Sequence, residues 1–74
     1  MPHVNILHFP NDFTAVQKKE LAEALTTVVS AHFDVSVDAV SIALEPVAEE
    51  SWTESVVTPE ITRREHLLIK HPDY

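Results

Sequence analysis

Apolar positions recur at two different spacings along this chain, and the switches between them mark its elements. From Val4 to Phe9 they alternate: Val4, Ile6 and His8 share one side, and His3, Asn5, Leu7 and Phe9 the other. That period of two predicts a strand, and apolar residues on both sides predict cover on both. Pro10-Asn11-Asp12 ends it. Thr14 and Gln17 then have the spacing of a capping box, so a helix is expected from there to about His32. Leu21, Leu25, Val28 and His32, with Val29 beside them, form its apolar stripe, and Lys18, Lys19, Glu20 and Glu23 take the wet side. Phe33 to Ser36 turns the chain. Alternation returns from Val40 to Glu45, a second strand that Pro46 closes or confines to an edge.

The last third follows helical signals. Helix formers surround Trp52 from Glu49 to Val57, and Thr58-Pro59 reads as a cap followed by a first-turn proline. Ile61, Glu65, Leu68 and Ile69 continue the period until Pro72. The expected fold is α+β: one β-α-β unit with parallel strands, a right-handed crossover and a helical C-terminal segment, all in one domain spanning 1–74. Two strands do not make a stable sheet alone. A two-fold dimer would join two pairs into a four-stranded sheet with helices packed on it, its other face covered by further subunits or by the C-terminal helices.

Composition strengthens the case for association. A chain of 74 residues buries only about 60% of its unfolded surface, and with no cysteine it has no disulfide to compensate. A homo-oligomer is therefore expected. Five Lys and Arg against twelve Asp and Glu give a net charge of −7, which argues against nucleic acid and against anionic membrane surfaces. No basic and apolar leader or long apolar run is present, so the expected location is the cytoplasm. Glycine is absent altogether, which excludes phosphate-cradling loops and forces turns onto Asn and Asp.

Candidate chemistry begins at Pro2. Removal of Met1 would expose a secondary amine at the head of a strand. An apolar setting disfavours its cation and brings it toward a base usable near neutrality. Residue type alone leaves this open against a proline that merely starts an edge strand or permits methionine removal. His3, His8, His32, His66 and His71 include no pair at the i, i+4 metal spacing, so no metal site is expected. His8 shares the Pro2 side of the strand and is a candidate proton partner. Trp52 is either a core residue or a pocket wall. Arg63 and Arg64, near Glu60 and Glu65, are either solvated ion pairs or carboxylate binders.

Taken together, MPHVNI, the Phe9-Pro10 pair, SIALEPV, the ESW at Glu50 to Trp52 and the final LIKHPDY resemble the 4-oxalocrotonate tautomerase family, most closely its PptA-like branch. The resemblance spans essentially the whole chain. It implies a cofactor-independent isomerase that interconverts enol and keto forms of small 2-hydroxy-enoate or enol-pyruvate acids. Mature Pro2 would be the general base and Trp52 an aromatic wall.

Two departures from the family pattern shape the expectation further. Members that bind diacids carry an arginine shortly after the first strand and another in the second. Here those positions correspond to Asn11 or Asp12, and to Ser41. A monoacid with an aromatic tail, such as enol-phenylpyruvate, is the expected substrate class, with Arg63 or Arg64 as replacement cations. Hexameric members use a glycine-bearing hairpin that this chain lacks, so a dimer is expected over a hexamer. Hydratase or dehalogenase chemistry using Glu45, and a non-catalytic interaction module, are the alternative readings.

Overall fold

In the computed structural model, which describes residues 1–74, the chain forms β1 (His3–His8), α1 (Ala15–Phe33) and β2 (Ser41–Pro46). A π-helix follows over Thr53–Thr62, and single 3-10 turns lie at Val37–Ala39, Glu49–Ser51 and Glu65–Leu67. The β-α-β unit is as expected. β1 and β2 pair in parallel, with His3 opposite Ser41 and His8 opposite Pro46. The ladder reaches past both ends, since Ser41 N–H donates to the Pro2 carbonyl and Val47 N–H to that of His8. Pro2 is thereby held in the sheet.

Helix α1 opens on the predicted capping box. The Thr14 hydroxyl accepts from Gln17 N–H at 3.1 Å, and Gln17 Oε1 accepts from Thr14 N–H at 2.9 Å. Asp34 caps the other end in the left-handed conformation, φ 54°, ψ 51°, and its N–H reaches the Ser30 carbonyl. In a chain without glycine, Asp supplies the positive φ that such a cap needs.

Three expectations need correction. The half-buried positions on α1 are Leu21, Ala22, Leu25, Thr26, Val29 and Ser30, whereas Val28 and His32 are exposed. A two-stranded sheet is narrow, so it covers only the rows spaced four apart and leaves Val28 out. Both faces of β1 are not covered within the chain: His3 and Asn5 are exposed, and only the side with Val4, Ile6 and His8 is consistently shielded. The C-terminal third is not two capped helices divided at Thr58. Pro59 lies inside the π-helix, and the chain beyond it makes only the Glu65–Leu67 turn before an irregular tail. In an α-helix the proline ring would clash with the carbonyl four residues back. The wider i to i+5 spacing, seen in Arg63 N–H bonding the Thr58 carbonyl, removes that clash.

The single chain has almost no core. Val56, in the π-helix, is its one buried residue, at 5% exposure. The radius of gyration is 13.9 Å, against about 11 Å for a compact domain of this length. The accessible surface is 5969 Å², against about 4,600 Å² for a folded monomer of this mass.

Candidate active site

Two clusters of candidate residues form, at opposite ends of β1. At its N-terminal end, Pro2 is half-buried and Met1, at 99% exposure, packs against nothing. Beside it, His3 Nδ1 and Ser41 Oγ are hydrogen-bonded at 2.7 Å. Further along, Asn5 Nδ2 donates to Glu45 Oε1 at 3.0 Å. Strand alternation and register put His3, Asn5, Ser41 and Glu45 on the face away from α1. Ser41 Oγ thus has His3 as its hydrogen-bond partner.

At the C-terminal end, Leu7, His8, Phe9, Trp52 and Tyr74 line an open cavity of about 600 Å³. The sequence places Trp52 just past β2, and the Glu49–Ser51 turn carries it back over the end of β1. Its ring meets Phe9 edge-on, with centroids 4.9 Å apart and planes at 83°, the arrangement that ring quadrupoles favour. Its indole N–H donates to the Tyr74 hydroxyl at 3.1 Å. Trp52 is therefore a cavity wall, half-buried rather than part of a core.

His8 lines the cavity in part, but its ring is engaged within its own chain. Its Nδ1 lies 2.6 Å from the Phe9 carbonyl, which only accepts, so Nδ1 is the donor in this bond. Nε2 is buried without a partner, and the ring packs edge-on against Phe13 at 5.8 Å. Pro2 and His8 share a side of β1, but the strand between them is about 20 Å long at the usual rise of about 3.3 Å per residue. Within one chain the two cannot exchange a proton.

The arginines stand apart from both clusters. Arg64 makes a surface ion pair with Glu60, Nε to Oε2 3.7 Å, with both side chains about half exposed. Arg63 is exposed, and neither residue lines a cavity. A smaller space of about 340 Å³ between α1 and β2 is lined by Lys18, Leu21, Ala22, Ile42 and Leu44. Sequence reasoning missed Tyr74 and Phe9 as cavity residues. The available signal was their place in stretches shared with the family, FP and LIKHPDY, to which no role was attached.

Comparison with known proteins agrees with this architecture. The family model described as "Tautomerase enzyme" matches residues 2–59. Over 74 residues the chain is 36% identical to the protein named Tautomerase PptA from Pectobacterium atrosepticum. It is 40% identical to the protein of that name from Enterobacter sp. strain 638, and 36% identical to that of Escherichia coli O9:H4. Each alignment covers all of this chain and 97% of the relative.

Proposed function

We propose that this chain, which belongs to the 4-oxalocrotonate tautomerase family and its PptA-like branch, uses mature Pro2 to ketonise enol-pyruvate acids with an aromatic tail. The observation that carries the reading is the pairing of an anchored Pro2 with a free Met1. The Pro2 carbonyl is fixed by Ser41 N–H while Met1 projects into solvent. Removing Met1 costs no packing and leaves a secondary amine of fixed position.

The reaction needs one proton carrier. The Pro2 nitrogen takes the proton from the 2-hydroxyl of the enol, and the O–H electron pair becomes the C=O bond. The former C=C pair takes the same proton back at C3, which restores the amine. The balance is a 1,3-proton shift, with no cofactor and no net change in charge. Trp52, Phe9 and Leu7 provide an apolar wall for an aromatic tail.

Because Pro2 and Trp52 lie a strand length apart, a complete site needs two copies. Pairing the free edge of β1 with itself about a two-fold axis is necessarily antiparallel. It brings Pro2 of one copy to the Trp52 end of the other, in a four-stranded sheet ordered β2-β1-β1-β2. Pairing through β2 instead would interpose two strands, each about 4.8 Å wide. The excess surface of the single chain, about 1,400 Å² by the area scaling above, suits a permanent dimer interface. We place this dimer in the cytoplasm.

The test is an ultraviolet assay of enol-phenylpyruvate ketonisation with Met1-free protein. Retaining Met1, which ties the nitrogen in an amide, is expected to lower kcat about 10²- to 10⁴-fold, the usual contribution of a general base. Pro2→Ala, which keeps a primary amine, should fall between. Equal rates in all three would remove Pro2 as the base, and no rate above the buffer background would leave the non-catalytic reading. Glu45, exposed and bonded to Asn5, is a poor water-activating group for the hydratase alternative.

A further inference from the structure

The Trp52–Tyr74 contact has a direction that leaves a donor over. An indole N–H donates and has no lone pair to accept with, so the Tyr74 oxygen is the acceptor in this bond. The hydroxyl proton of Tyr74 is therefore uncommitted, and no acceptor in the chain takes it up. The other polar side chain lining the cavity is His8, whose Nδ1–H is spent on the Phe9 carbonyl and whose Nε2 is buried. Leu7, Phe9 and Trp52 offer no free donor, and no Lys or Arg lines the space.

We propose that Tyr74 binds the substrate carboxylate: its hydroxyl accepts the Trp52 indole N–H and donates its own proton to a carboxylate oxygen. The assignment rests on the reading of the Trp52 cavity as the substrate site and identifies what serves there in place of a cation. A phenolic O–H to a carboxylate is a short, charge-assisted bond. One such donor suits a monoacid, whereas a diacid would leave its second carboxylate beside aromatic rings. The indole bond also fixes the direction of the remaining O–H, since the two share one oxygen. Tyr74 reaches this position on an irregular tail in which Ile69 is fully exposed, so the Trp52 bond is a principal tether.

Trp52 is the one tryptophan of the chain, so its fluorescence reports the cavity directly. The probes are 3-phenylpropionate, an unreactive acid, and 3-phenylpropanol, its neutral counterpart, titrated against the full chain and its Tyr74→Phe variant. The expected result is a loss of about tenfold or more in affinity for the acid in Y74F, with the alcohol bound alike by both proteins. In the ketonisation assay KM should rise by a similar factor while kcat changes less than about threefold. Equal weakening toward acid and alcohol would overturn the proposal, because it would mean that Tyr74 only holds Trp52 in place. Unchanged acid binding, or a wild-type protein that does not prefer the acid, would overturn it as well. Neither result depends on turnover. Pro2-dependent ketonisation with an unaltered Y74F would remove the carboxylate assignment alone, and the expected binding pattern without ketonisation would remove the tautomerase reading alone.

Discussion

At the scale of single residues, the position that most shapes the proposed substrate range is Ser41. A serine there carries no charge to meet a second carboxylate, and its hydroxyl is hydrogen-bonded to His3 Nδ1 at 2.7 Å. Ser41→Arg should return a carboxylate partner to that end of β1. One hydrogen bond to a charged group contributes about 1.5–3 kcal/mol. Specificity for 2-hydroxymuconate over enol-phenylpyruvate should therefore shift about tenfold or more toward the diacid, as read from kcat/KM for both substrates. An unchanged ratio would remove Ser41 from the binding surface. The identity of these residues was legible beforehand. Their company was not, because the partnership of His3 with Ser41 depends on a register between strands 38 positions apart.

At the scale of elements, agreement follows how local the determining interactions are. The capping box of α1 lies within four residues, and the structure forms both of its bonds. Thr14→Ala should cost about 1 kcal/mol, which lowers the Tm by about 4–8 °C in a domain of this size. Activity per folded molecule should be unchanged, since Thr14 lines neither cavity; thermal denaturation beside the ketonisation assay checks both. The π-helix shows the opposite case. Thr58-Pro59 is a sound local signal for a helix start, yet Pro59 lies seven residues into a helix that began at Thr53. The helix runs on through the proline past the buried Val56, and the wider spacing accommodates the proline ring. A local start signal does not fix where a helix begins when the spacing of that helix can admit the proline.

At the scale of the molecule, the proposed reading makes the chain one half of a dimer. Val16, Val28, Phe33 and Val37 are more than half exposed, and the surface exceeds that of a compact monomer. Sedimentation analysis should give a species of about twice the 8.3 kDa chain mass. Dilution to monomer should abolish ketonisation, because Pro2 and Trp52 of one chain are a strand length apart. A monomer of full activity would contradict the shared site. The sequence by itself determined the order of strand, helix and strand, the acidic and glycine-free surface, and the family, because these rest on neighbouring residues and on residue identity. Only the tertiary structure decided that Pro2 and Trp52 stand at opposite ends of β1, that His8 turns to Phe13, and that Tyr74 returns from the tail to Trp52. Those are contacts between distant parts of the chain, and periodicity says which way a side chain faces but not what it will meet.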